Sequence, residues 1–499
     1  MLQSFANLFA FWPLFYLTLG VALGIVVGSI PGLTASMLIA LSLPLTFYMD
    51  SVDAMTLLIG MYVGGRSGGL SAATLLRMPG TPASIMTTFD GYPMTRKGQG
   101  ERALGLGITA SVVGGLVSWV FLAVLSPPLA DLALQFGPWE YFTMVLMALV
   151  MLASLSQGSL VKGLIAGCLG MLLAMPGIDP SIGQTRLTFG WHQLDGGLKL
   201  LPVLIGAFAV SQILKDIIDI EHKLGHVSVG RKGIFISLAD FKTHGLNMLR
   251  SSVIGTWIGL LPGIGANIAA MMAYSTAKNV SKTPEKFGTG HEPGVVAAET
   301  ANNASVGGAL IPLITMGIPG SVTEAILIGA LIIHNLQPGP LLFTTNPEVA
   351  YGVIAAYLIA NIIMFIMMTA CVTYIAKLIY VPKTYLLSAI LVFCVIGTFA
   401  LGNRFFDVWV MLGFGLIGFG LEYCKVPLGP FVIGFVLSPI AEEQLRSGLM
   451  ASEGSFAAVF DRPFAVAFLA ASVITLCWPL YQQYRQHRRH RIAPETPYT

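Results

Sequence analysis

Charge is scarce in this chain. Of its 499 residues only 10% are Asp, Glu, Lys or Arg, against 55% hydrophobic residues and a mean hydropathy of +0.77. That balance excludes an ordinary soluble domain and marks a polytopic membrane protein. The net charge of +3 is too small and too scattered for a nucleic-acid partner. Cysteine is also sparse: Cys168, Cys371, Cys394, Cys424 and Cys477 all fall in apolar stretches, form no CxxC, and read as buried thiols, not disulfides or metal ligands. Among the eight histidines, His222 and His226 share a helical spacing, and they sit in a charged loop, so no metal centre is expected. A phosphate-binding P-loop, a zinc signature and a nucleophile elbow are all missing, which argues against ATP-driven pumping and against an enzyme. No Lys or Arg precedes Arg66. The basic start of a cleaved signal peptide is therefore absent, lipidation signals are absent too, and the first apolar segment is expected to stay as a helix.

What is abundant is apolar sequence in runs near the length of about 20 residues that crosses a bilayer. They lie at roughly 8–30, 33–48, 103–126, 139–157, 160–176 and 198–218, and again at 246–261, 264–280, 349–376, 384–403, 405–424, 427–440 and 464–482. Two Gly-rich, polar-dotted regions, 60–93 and 294–340, stand between them.

Two of these features occur twice. Gly24 to Ala35, GIVVGSIPGLTA, is a near-copy of Gly255 to Ala266, GTWIGLLPGIGA: Gly24 falls on Gly255, Gly28 on Gly259, Pro31 on Pro262 and Gly32 on Gly263. Each copy breaks its apolar run with Pro-Gly, which removes a backbone donor and admits a left-handed turn. Downstream, in the same order, both Gly-rich regions run from Gly-Gly to a second Pro-Gly followed by a hydroxyl residue, Pro79-Gly80-Thr81 and Pro319-Gly320-Ser321. The duplication is thus of half the protein. Broken helices at corresponding places in two halves are the best sequence pointer to a transporter's binding site.

Basic residues in short loops favour the cytoplasm. Arg96, Lys97 and Arg102, the central Lys215 to Arg250 group, and Lys278, Lys282 and Lys286 place their loops inside, as Arg485, Arg488, Arg489 and Arg491 place the C-terminus. Residues 1–12, 49–53 and 335–348 carry no Lys or Arg and belong outside. The first Pro-Gly hairpin then opens to one side and the second to the other. The expected fold is an all-α polytopic integral membrane protein of two inverted-topology repeats with broken helices and Pro-Gly hairpins: 1–220 as the first repeat, 221–245 as a cytoplasmic connecting loop, 246–440 as the second repeat, and 441–499 as an extra helix and basic tail.

Half-helices beginning at Gly32, Gly80, Gly263 and Gly320 would aim free N–H groups and a positive dipole end into the protein, which suits a carboxylate. Thr34, Thr81, Ser84, Asn267, Ser321 and Thr323 stand beside those breaks. Simple kinks are the plainer account of the Pro-Gly pairs, and close helix packing accounts for Gly20, Gly24, Gly28, Gly255 and Gly259. Polar residues within apolar surroundings are functional candidates by default. Asn302 and Asn303 would coordinate a cation, hold a substrate carboxylate, or tie helices together. Arg66 matches a carboxylate bidentately, or it pairs with Glu299, Glu324 or Asp90, as does Arg77. Glu324 is a candidate for a proton or Na⁺, with Asn302 and Asn303. Asp90, in FDGYP, reads as a turn residue.

With these motifs in view, the chain resembles the large membrane subunit of the tripartite tricarboxylate transporter family of bacteria. The resemblance is carried by GSIPGLTASMLIALSLPLTF, GGLSAATLLRMPGTPASIMTTFDGYPMTRKGQGERALG, GTWIGLLPGIGANIAA and AAETANNASVGGALIPLITMGIPGS, and spans about 20–440. It implies a binding-protein-dependent secondary transporter of the bacterial inner membrane that imports an organic acid anion, a di- or tricarboxylate, on a Na⁺ or H⁺ gradient and without a cofactor. It also implies a small four-helix membrane subunit and a periplasmic substrate-binding protein as partners. The N-terminus is expected in the periplasm and the C-terminus in the cytoplasm. Arg66, Arg77 and Glu324 depart from the family's usual uncharged positions. An exporter or a channel would share the broken helices; dependence on a soluble binding protein separates importer from exporter.

Overall fold

A computed structural model describes residues 2–155, 159–179, 183–218, 234, 236–378 and 383–492. His222, His226 and most of the 221–245 loop lie outside the described residues, as do the side chains of the basic tail from Arg485 onward. The described chain is helical almost throughout, and five of its helices are long and apolar enough to cross a membrane: Phe11–Ser29, Gly100–Ala133, Leu200–Ile218, Pro347–Val372 and Phe405–Tyr423. Shorter apolar helices accompany them. This is a polytopic helical membrane protein.

Two compact units are formed, one from residues 1–134 and 198–421 and one from 135–197 and 422–499. In the second unit, Pro138–Leu155 packs with Pro463–Ile492, and Leu160–Ala174 with Leu428–Ala451. A two-stranded hairpin, Gly177–Ile178 with Thr185–Arg186, is pinned there by Arg186, which bonds both Asp179 and Glu442. Of the cysteines, Cys394 is buried and Cys371 partly so, whereas Cys168, Cys424 and Cys477 are exposed, so the reading of all five as buried thiols holds for fewer than expected. An apolar stretch in a membrane protein has a lipid side as well as a core.

In the first unit the local sequence explains each break. Phe11–Ser29 carries no charge and ends before Pro31 and Gly32, whose φ of 95° is left-handed; the Thr34 hydroxyl then accepts from Met37 N at 3.1 Å and caps a new helix, Ala35–Thr46. Leu238–Leu260 starts from a Ser237/Asp240 capping box, ends before Pro262 and Gly263 (φ 84°), and the chain resumes as Gly265–Val280. The Gly-rich regions are themselves long helices, Ser51–Leu76 and Glu292–Met316. Their hydropathy is lowered by glycine and hydroxyls because they are buried among protein and not lipid.

Small residues make that burial possible. A Cβ at Gly24 would stand 2.5 Å from Met61 O and one at Gly28 2.3 Å from Gly65 O, so Phe11–Ser29 and Ser51–Leu76 touch backbone to backbone. Gly255 and Gly259 approach Ala301 O and Ser305 O at 2.6 and 2.3 Å in the same sense. Ser51–Leu76 ends at Arg77 and Glu292–Met316 at Gly317, both left-handed, and each leads through Pro-Gly into a shorter helix, Ile85–Arg96 or Val322–Ile333.

Asp90 is no turn residue. It lies inside Ile85–Arg96, fully buried, and its carboxylate accepts from the N–H groups of Gly288, Gly290 and His291 at 2.9, 2.8 and 2.8 Å and from the Tyr274 hydroxyl at 2.8 Å. The first Pro-Gly hairpin is thereby clamped to the loop that precedes Glu292–Met316. Nearby, Arg102 bonds Asp240 and Glu292, and His244 meets Glu292 at 3.0 Å.

Candidate functional site

The second Pro-Gly turn faces a narrow recess, drawn together so tightly that no water-sized space is left in it, lined by Tyr62, Arg66, Gly259, Gly265, Ala266, Ser305, Ala309, Gly320, Ser321 and Glu324. Helical spacing explains the lining: Tyr62 and Arg66 are one turn apart on Ser51–Leu76, and Ser305 and Ala309 are one turn apart on Glu292–Met316. The Gly263 N–H donates to Gly320 O at 2.8 Å and stitches the broken helix to the turn. Gly320 is required here because its Cα already lies against Gly259 O and Ala309, a Cβ at that position standing 3.1 and 3.0 Å from them.

Glu324 is 0% exposed. One of its oxygens accepts from the Tyr62 hydroxyl; the other, Oε2, is buried with no partner. Arg66 stacks its guanidinium 5.2 Å from the Tyr62 ring centre and donates from Nη2 to the Tyr62 hydroxyl at 3.3 Å, while its Nε is buried and unpartnered. Opposite charges are therefore held one hydroxyl apart without a direct ion pair. A buried charge with an unused oxygen, beside a buried donor with no acceptor, is a costly arrangement for a purely structural role. Chemically it offers one anion donor and one acceptor to a small ligand.

A second buried carboxylate is treated differently. Glu299 accepts from the Thr87 and Ser111 hydroxyls, the latter at 3.4 Å. Asn303 donates to Ser111 at 2.8 Å and to Glu299 O at 3.2 Å, and accepts from Ser67 at 2.8 Å. Its amide is fully used. Asn302 is 1% exposed; its amide interacts with the Glu299 carboxylate without completing a well-formed hydrogen bond, on the face of the helix that also carries Ser305 and Ala309.

The structure thus brings together Arg66, Gly320, Ser321 and Glu324 at one recess, with Gly263 bonded to its edge. Ser321 caps its helix by accepting from Thr323 N at 3.3 Å, and Thr323 meets the Ser36 hydroxyl at 2.8 Å. Around the first turn, Gly80 lies against Gly28 and Gly69, and Ser84 donates to Thr81 O at 2.8 Å and accepts from Thr81 N at 3.2 Å. Gly32 and Thr34 form the first break; Asn267 is half-buried in the first turn of Gly265–Val280. Neither Gly32, Thr34, Gly80, Thr81, Ser84 nor Asn267 lines the recess. Arg77 is exposed and away from it. Tyr62 was not among the sequence candidates. A tyrosine inside GMYVGG carries no local signal for a partner at position 324.

These features define a multi-pass membrane transport protein: apolar spans, helices broken at depth, and buried opposite charges facing a closed recess. Residues 14–433 match the profile of the tripartite tricarboxylate transporter TctA family, so the chain belongs to that family and is a large permease subunit of a tripartite organic-acid transporter. It is 36% identical over 455 residues, 91% of this chain and 90% of the other, to an uncharacterized 52.8 kDa protein in the TAR-I ttuC' 3'region of Agrobacterium vitis. It is 34% identical over 231 residues, 46% of this chain and 96% of the other, to an uncharacterized protein in the TAR-II ttuC' 3'region of the same organism. No solved structure matches it. Permeases of this family work with a small membrane subunit and a periplasmic binding protein.

Proposed function

We propose that this permease imports an organic acid anion, a di- or tricarboxylate, by alternating access on a Na⁺ or H⁺ gradient. The observation that carries the proposal is the unpartnered Nε of Arg66 and Oε2 of Glu324 at the recess beside Gly320. The arginine receives the substrate carboxylate, and the turns at Gly263 and Gly320 supply the flexible backbone through which the recess opens. Each charge screens the other in a low-dielectric site, so anion and cation binding are coupled. Asn302, whose amide lies beside the Glu299 carboxylate, is the stronger coupling-ion candidate, since the free oxygen of Glu324 faces the substrate recess. Asn303 is the weaker one, its amide being taken up by Ser67 and Ser111.

Two inverted repeats frame the site in this reading. Its support is that Gly80 rests on Gly28 and Gly69 as Gly320 rests on Gly259 and Ala309, pairs that the sequence duplication makes equivalent. The basic loops put the N-terminus outside and the C-terminus in the cytoplasm of a bacterial inner membrane. A four-helix small subunit and a periplasmic binding protein complete the transporter.

The test is uptake of labelled mono-, di- and tricarboxylates into proteoliposomes carrying this chain with its small subunit and binding protein. Accumulation of one acid that collapses with one cation gradient supports the proposal. Accumulation of none, with insertion and binding-protein activity verified, refutes it.

A further inference from the structure

The recess says more about its ligand than that it is anionic. A fully ionised polycarboxylate would place a carboxylate on Arg66 and find Glu324, itself a buried acceptor, beside it. Two like charges in one low-dielectric site repel. What Glu324 Oε2 lacks is a donor, and what Arg66 Nε lacks is an acceptor; the Tyr62 hydroxyl bonds both residues, and all three line the same recess.

We infer that the permease selects 2-hydroxy acids: the substrate carboxylate accepts from Arg66, and the hydroxyl on the adjacent carbon donates to Glu324 Oε2. This rests on the assignment of the recess as the substrate site and adds the chemical group that the site reads. A hydroxyl brings one donor, and among the side chains lining the recess Glu324 Oε2 is the one buried acceptor without a partner. A 2-amino acid brings three donors on its ammonium group, and one acceptor leaves two of them unpaired in a buried place. An acid with no substituent there leaves Glu324 as bare as it is in the empty protein. Sites built to bond a substrate hydroxyl reject the analogue that lacks it, because their own polar group then stays buried and unpaired.

Succinate, malate and aspartate differ only in carrying hydrogen, hydroxyl or ammonium at one carbon, and propionate, lactate and alanine repeat the series with one carboxylate. Binding of both series to the purified full-length permease, without the binding protein and its own selectivity, reads the inference directly. In each series the hydroxy acid is expected to bind at least about 10-fold more tightly than the other two, the weight of one hydrogen bond to a charged group. Equal affinities, or tighter binding of the amino acid, overturn the inference. Glu324→Leu, which has neither donor nor acceptor at that place, is expected to bring the hydroxy preference close to one while carboxylate binding persists. A wild-type preference that this variant keeps overturns the role of Glu324, and the wild-type series decides the substrate class even where the variant fails to fold. Arg66→Ala separates the two claims: loss of binding for every acid leaves the recess as the substrate site whatever the hydroxyl result, whereas unchanged binding removes the site and the inference together.

Discussion

Glu299 and Glu324 are both fully buried carboxylates within helices of the same unit, yet they are held in opposite ways. Glu299 has a hydroxyl for each oxygen and a fully bonded asparagine beside it; Glu324 has one hydroxyl, one bare oxygen, and an arginine that does not quite reach it. Fully satisfied buried networks rigidify a fold, and half-satisfied ones are unstable unless something else completes them. On the function proposed above, the difference separates a structural strut from a ligand contact, although both are acids in apolar sequence.

The comparison can be broken at its charged partner first. Arg66→Ala is expected to lower uptake by about 100-fold or more, the effect of removing a charged hydrogen-bond partner from a buried site, with membrane insertion intact. Glu299→Ala should act the other way round, costing about 1–3 kcal/mol of stability through the hydroxyls it strands, with acid affinity of the folded fraction unchanged. Thermal melts beside binding isotherms would separate the two, and a Glu299 variant that folds normally but binds nothing would reverse their roles.

Neighbouring asparagines sharpen the same contrast. Asn303→Ala is expected to lower the melting temperature, because it frees Ser67 and Ser111. Asn302→Ala should disturb the melt less than Asn303→Ala while reducing uptake about 10-fold, since its amide makes only a loose contact with Glu299.

Carboxylates outside the membrane segments extend the comparison to groups that water reaches. Hydrogen bonds from His244 and then Arg102 hold Glu292 down at about 2, and Arg102 with Ser237 holds Asp240 below the usual carboxylate range. Folded-state values that are depressed give stability that is present above the unfolded range near 4 and lost as pH falls toward the folded values. Melting temperature is therefore expected to drop as pH falls from about 5 to about 2, and Arg102→Ala should flatten that drop. The smallest effect belongs to the other arginine. Arg77 adopts a left-handed conformation in the exposed turn where the second copy has Gly317, so Arg77→Gly should raise stability by up to about 1 kcal/mol and leave uptake unchanged.

The breaks in the fold were legible because Pro-Gly acts locally: Pro31-Gly32 and Pro262-Gly263 end helices at the places the sequence indicates. The Gly-rich helices were not legible as helices, since hydropathy registers lipid contact and these segments have almost none. Arg66 and Glu324 stood out as charges in apolar runs, but their relation runs through Tyr62, whose partner lies in a distant part of the chain. Asp90 was misread for the same reason: its partners Gly288, Gly290 and His291 are brought to it only by the fold.

An organic acid held between Arg66 and Glu324 should shield the wall of the recess. The most direct test places a single thiol there, Ser321→Cys in a chain whose five native cysteines are replaced, and follows its modification by a small thiol reagent with and without transported acid. The account predicts that the acid slows modification and that Arg66→Ala removes this protection. Modification at the same rate with and without an acid that the protein demonstrably transports would contradict it.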